Sequence, residues 1–193
     1  LRGPQGTLFG KNASAGVINI VSKPIQQGIE RYVDASYFDG REYRLRAGIS
    51  GEFSPGVLAS LNLMTAEWDG NVDNKFLNRK VNGYDRQGGR VKFEIATGKD
   101  SKLTLIGDYT KGDDTGIRGP FLRGGAAQAA AIAPIVFGTE TRQVSTDVNE
   151  RVNDKNGGLS AQLDWNWGGN AMTWISAWRE WKNTQFQDID GTA

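Results

Sequence analysis

Charged residues recur at every second position of several apolar runs. Arg44 and Arg46 lie in RLRAGIS, Arg90, Lys92 and Glu94 in RVKFEIA, Asp108 in KLTLIGDY and Asp164 in LSAQLDWNW. Successive side chains of a strand point to opposite faces, so each charged set shares a face. The other face is left to Leu45, Ala47 and Ile49, to Val91, Phe93 and Ile95, or to Leu159, Ala161 and Leu163. Such a charged face can do one of two things. It can form a hydrated wall whose charges neutralise one another, or it can set a few of them against a bound solute. Spacing leaves both open.

Composition removes most catalytic chemistry. The chain has no histidine and no cysteine, which excludes imidazole triads, disulfide scaffolds and thiolate metal sites, and would leave zinc with carboxylates alone. Lys plus Arg is 23 against Asp plus Glu at 22, so there is no basic footprint for nucleic acid. The glycine-rich opening stretch is not a phosphate loop, because Gln5 and Asn12 stand where that motif needs glycine and a hydroxyl residue. DVNERVNDKNG is not a calcium loop either. Val152 occupies the turn-glycine position and Gly158 that of the bidentate glutamate, and the stretch reads as a solvated loop. No catalytic, cofactor-binding or metal-ligating residue is assigned.

The elements that position the charged face are strands. Seven runs carry the pattern, at 29–38, 41–53, 57–69, 85–97, 102–113, 157–167 and 171–187. Asp39-Gly40, Ser54-Pro55-Gly56, Gly98 to Ser101 and Gly168-Gly169-Asn170 supply short turns. Two connections, 70–84 and 114–156, are long, and within the second the alanine-rich 126–133 reads as a short helix. No stretch reaches the roughly 20 apolar residues of a spanning helix, but a spanning strand needs only about 9 to 11. Numbered along the chain, every even-to-odd connection is short and two odd-to-even ones are long, which resembles outer-membrane barrels, with short turns at one rim and longer loops at the other. The expected fold is all-β, an antiparallel up-and-down meander forming part of a transmembrane β-barrel.

Aromatic placement adds to this. Trp68, Tyr84 and Tyr109 lie beside the long connections, and Phe53, Trp165, Trp167 and Trp174 beside the short turns, which predicts two membrane-interface girdles. Val91, Phe93, Ile95, Leu159, Ala161 and Leu163 are expected to face lipid. For 171–187 two outward sets fit equally, Ile175 with Ala177 or Trp174 with Trp178.

The opening stretch, LRGPQGTLFGKNASAGVINIVSKP, resembles the end of the plug domain of TonB-dependent outer-membrane receptors. The resemblance rests on the Arg2-Gly3-Pro4 turn, the Gly10-Lys11-Asn12 turn and the run Asn19 to Pro24. It implies that 1–24 is the C-terminal end of a plug domain and 25–193 the N-terminal part of a barrel, about seven strands of a larger, 22-stranded ring. On that reading the chain is a fragment, with open sheet edges that would aggregate in water.

The resemblance further implies a place in the outer membrane of a Gram-negative bacterium, contact with its lipid, and energy-coupled uptake of a scarce solute such as a ferric siderophore. TonB would be a partner through the missing N-terminal part, and no enzymatic activity is implied. Arg2, Gly3, Pro4, Gly10 and Asn12 become gating candidates, Arg2 by facing glutamates of the inner wall. Two other classes share part of the pattern. A passive porin-like barrel would have the strands without a plug, and a soluble β-sandwich would bury its apolar face under a second sheet.

Overall fold

The computed structural model describes residues 22–116 and 120–188. Alternating, β-branched and aromatic runs form strands, as their period dictates. In chain order these are β1 (Glu30–Phe38), β2 (Glu42–Ser54), β3 (Val57–Trp68), β4 (Val72–Asn74), β5 (Arg79–Val81), β6 (Gly83–Gly98) and β7 (Ser101–Thr115), then helix α1 (Ala126–Ala131), β8 (Gln143–Val144), β9 (Arg151–Trp167) and β10 (Asn170–Phe186). The seven long strands make one sheet in the order β1-β2-β3-β6-β7-β9-β10, each antiparallel to its neighbours. This is the expected meander.

Turn chemistry pins its register. β9 and β10 are joined by Gly168 and Gly169 at φ 57° and 83°, the pair of positive angles a two-residue hairpin turn requires and that only glycine adopts without strain. Pro55-Gly56, with Gly56 at φ 78°, supplies the preset proline and left-handed glycine of a tight turn. Register shifts fall at Glu52/Ser54 and Ala96/Gly98, both on the short-turn rim, where bulges add twist.

Three strands run further than hydrophobic alternation shows. β9 starts at Arg151, so most of the acidic and amide-rich stretch expected to be a solvated loop is strand, paired from Arg151↔Thr115 to Gly157↔Tyr109. β6 and β7 lengthen to match, Gly83 pairing with Thr115. Ladder hydrogen bonds need backbone, not apolar side chains, so a strand can rise beyond its hydrophobic zone.

Within the long connections, β5-β4-β8 form a small sheet around buried Val72, Val81 and Val144. Asn74, 2% exposed, organises it. Its amide donates to the carbonyl and hydroxyl oxygens of Thr146 at 3.0 and 2.8 Å, and its carbonyl accepts the backbone N–H of Phe76 and Leu77, each at 3.1 Å. The alanine-rich segment does form a helix, α1, with no side-chain cap and no buried residue.

Neither face of the large sheet is covered by a second sheet among the described residues. Leu159 is 65% and Trp178 60% exposed, which does not fit the sandwich alternative. The exposed apolar residues are ordered. Following the hydrogen-bonded rows, the apolar zone spans Tyr43 to Ile49 on β2, Val57 to Leu63 on β3 and Leu159 to Trp167 on β9. Tyr43, at its upper limit on β2, shares a row with Glu67, Asp85 and Asp113, so the zone slides toward the short turns as the sheet is crossed. A horizontal apolar band drawn across tilted strands gives this drift.

Candidate functional site on the polar face

Directly opposed residues of an antiparallel pair share a face, so the register decides what the sequence left strand by strand. Arg44 and Arg46 pair with Ala66 and Met64, which pair with Arg86 and Gly88. Arg90 pairs with Asp108, and Asp164 with Lys102. Arg44, Arg46, Arg90, Lys92, Glu94, Asp108 and Asp164 therefore stand on one face of the sheet. Val91, Phe93, Ile95, Leu159, Ala161 and Leu163 stand on the other.

The charges of this face are largely paired. Lys92 Nζ lies 2.5 Å from Glu94 Oε1, with both side chains nearly buried. Asp164 accepts from the Thr173 hydroxyl at 2.7 Å and from Gln162 Nε2 at 2.9 and 3.0 Å. Asp108 is held by Arg179 of β10. Arg46 stands opposite Asp34. One row crosses all seven strands as Tyr32, Gly48, Asn62, Arg90, Asp108, Gly158 and Arg179, a continuous polar seam. Among the described residues, no group of three acidic side chains is placed to hold a metal ion.

Toward the long connections this face changes character and becomes aromatic. Trp68 and Tyr84 pair across β3 and β6, with ring centroids 5.9 Å apart and planes tilted by 59°. The Arg86 guanidinium lies over the Tyr84 ring at 4.5 Å, and that of Arg44 over Phe38 at 5.2 Å. The Tyr84 hydroxyl donates to Glu42 Oε1 at 2.5 Å and accepts from Arg44 Nη2 at 3.4 Å. Arg44 also donates to Glu42 from Nε at 2.7 Å, while Arg86 pairs with Asp114 at 3.2 Å. Two guanidiniums thus stand beside two large rings, each backed by a carboxylate. The arrangement can stack on a flat ligand and donate hydrogen bonds to its oxygens.

Sequence reading found Arg44 of this cluster and missed Arg86, although Arg86 and Arg90 share strand parity. It also assigned Trp68 and Tyr84 to a lipid girdle. Register corrects that, because their row contains Asp114 and belongs to the charged face; position along a strand fixes depth, but not side. Trp165, Trp174 and Tyr109 do lie on the apolar face, with Leu163 and Gly157 as partners of the last two. Strand β10 is resolved in the same way. Trp174 and Trp178 oppose Leu163 and Leu159, while Ile175 and Ala177 oppose Gln162 and Ser160. Arg2, Gly3, Pro4, Gly10 and Asn12 lie outside the described residues.

No protein-family model matches the chain. Over 98 residues it is 35% identical to the pesticin receptors of Yersinia enterocolitica and Yersinia pestis, a match covering 50% of this chain and 15% of each relative. The fold matches the crystal structure of the ferric yersiniabactin uptake receptor FyuA from Yersinia pestis with a TM-score of 0.78 at 20% identity, over 95% of this chain and 28% of that one. The match thus spans about a seventh of the length of the curated relatives and somewhat over a quarter of that of the solved one.

Proposed function

We propose a function from the premise that this chain belongs to the TonB-dependent outer-membrane receptors, which are transporters of the Gram-negative outer membrane and not enzymes. The chain contributes the first strands of the barrel wall to a receptor that binds a ferric, siderophore-type chelate and imports it when TonB rearranges a plug. In this reading residues 1–24 end the plug and 25–193 begin a barrel of about 22 strands. The charged face lines the lumen, and the apolar face meets lipid.

The observation that carries the solute class is the cluster of Arg44, Arg86, Trp68 and Tyr84. Siderophore-type chelates present anionic oxygens and often flat rings, which guanidiniums and aromatic faces recognise together. The solved relative's description as a ferric yersiniabactin uptake receptor supports the same class. Arg90, Lys92, Glu94, Asp108 and Asp164, deeper along the strands and largely paired, form the hydrated wall below.

The test is ferric chelate binding and uptake by the intact receptor in cells with and without TonB. Arg44→Gln and Arg86→Gln are each expected to weaken binding about tenfold, by loss of one charge-assisted hydrogen bond, while Asp164→Asn leaves it unchanged. Uptake is expected to vanish without TonB while binding persists. Unaltered binding in both arginine variants would remove the cluster from the solute's path, and uptake independent of TonB would leave a passive pore.

A further inference from the structure

We infer a second ligand site, on the opposite face of the sheet: a seat for a phosphate-bearing, acylated membrane lipid. It rests on the reading that the apolar face meets the bilayer. Lys111, Lys155 and Lys182 stand directly opposite one another on β7, β9 and β10. They lie on the apolar face, one row beyond Tyr109 and Gly157, toward the long connections. Like charges directly opposed across strands destabilise a sheet. Two of the three ammoniums are partly offset within their own strands, Lys111 by Asp113 at 3.1 Å and Lys182 by Glu180 at 3.0 Å. Lys155, between them, is exposed and makes no ion pair among the described residues.

Below the row is a groove of about 700 Å³ on the apolar face, walled by Leu61, Val91, Leu159 and Trp178 and lined at its end toward the long connections by Lys155 and Lys182. Glycines hollow it out. Gly89 and Gly157 flank Tyr109 across the strands, and Gly107 lies between Val91 and Leu159. A Cβ at Gly107 would come 3.1 Å from Leu159 Cδ2, and one at Gly157 would come 3.0 Å from Tyr109 Cδ2, so side chains there would fill the space the neighbours now enclose.

An apolar furrow closed at one end by ammoniums matches an acyl chain ending in an anionic headgroup. Three lysines across two strand spacings, about 10 Å, suit a headgroup with more than one phosphate. Lysines that merely stretch to the membrane surface would show no preference for phosphate, which separates the two accounts.

The intact receptor is placed in phosphatidylcholine nanodiscs with an acylated glucosamine disaccharide carrying two phosphates, or with its dephosphorylated counterpart, and retained lipid is read by native mass spectrometry. The diphosphorylated lipid is expected to be retained, its counterpart not, and excess inorganic phosphate not to displace it. Lys155→Gln/Lys182→Gln is expected to lower retention about tenfold while ferric chelate binding is unchanged. Equal retention of the two lipids, no effect of the double variant, or displacement by inorganic phosphate overturns the site. Brominated phosphatidylcholine tests the underlying reading separately, through the quenching lost in Trp178→Phe. Quenched Trp178 without phosphate preference overturns the lipid seat alone, and unquenched Trp178 overturns the membrane-facing reading as well.

Discussion

Arg179 reaches across an entire strand to Asp108. Its Nη2 donates to both carboxylate oxygens at 2.8 and 3.0 Å, passing over Gly158 of the intervening β9. A Cβ at Gly158 would lie 3.1 Å from the guanidinium carbon and 2.9 Å from the Trp178 carbonyl oxygen, so the crossing needs a residue without a side chain. Tyr32 repeats the device at the other side of the sheet, its hydroxyl donating to Asn62 Oδ1 at 3.0 Å over Gly48, where a Cβ would lie 2.3 Å from the ring. Both crossings belong to one row, with Arg90 near its centre.

The Arg179–Asp108 coupling is expected to be modest. The pair is 53% and 26% exposed, and exposed pairs contribute about 0.2 to 1 kcal/mol. A double-mutant cycle of Arg179→Gln and Asp108→Asn, read by denaturant unfolding of the receptor in lipid, should return a value in that range. Gly158→Ala should remove the coupling and cost about 1 kcal/mol or more on its own. Coupling that survives Gly158→Ala would show that the crossing does not depend on the glycine.

Facing can be weighed by charge insertion. Phe93→Arg, on the apolar face, is expected to cost about 2 to 4 kcal/mol if Phe93 lies near the bilayer midplane. Thr110→Arg, exposed on the polar face, should cost under about 0.5 kcal/mol. Glu94→Arg is a poor control despite its face, because Glu94 pairs with nearly buried Lys92 and its loss strands that ammonium. Equal costs at Phe93 and Thr110, by unfolding in vesicles, would reject the assignment of faces.

Register on β10 has an optical readout. Trp174 opposes Leu163 on the apolar face, whereas Trp181 opposes Asn156 and donates from Nε1 to Asp154 at 2.8 Å. Brominated acyl chains should quench the fluorescence contributed by Trp174 and spare that of Trp181, each read as the difference on substitution by Phe. The reverse pattern would mean a one-residue slip, which exchanges every side chain between faces.

The small sheet of the long connections should depend on Asn74. Asn74→Ala removes four hydrogen bonds and leaves buried donors and acceptors unmet, at about 1 to 3 kcal/mol for each buried group left without a partner. Amide exchange over 72–81 should quicken strongly while β6 and β7 stay protected. Uniform loss of protection would instead make the small sheet part of the barrel's cooperative unit.

The sequence alone determined whatever is periodic or local. Alternation at Arg90 to Ile95 and Leu159 to Trp167 revealed strands and their two-sided character, because a strand sends successive side chains to opposite faces. Gly168-Gly169 and Pro55-Gly56 revealed hairpins, because few residues adopt those backbone angles. Strand order followed from the short connections where these exist, and across 70–84 and 114–156 from the alternation of short turns and long loops expected of an outer-membrane barrel. What needed the tertiary structure was whatever depends on register between strands. The face of Trp174 and Trp178, the joining of Arg44, Arg86, Trp68 and Tyr84, and the line of Lys111, Lys155 and Lys182 bring together residues tens of positions apart. A shift of one position in pairing would separate every one of them. The polar upper half of β9 was illegible for a related reason. Its pairing energy lies in backbone hydrogen bonds to β7, and those leave no mark on side-chain hydrophobicity.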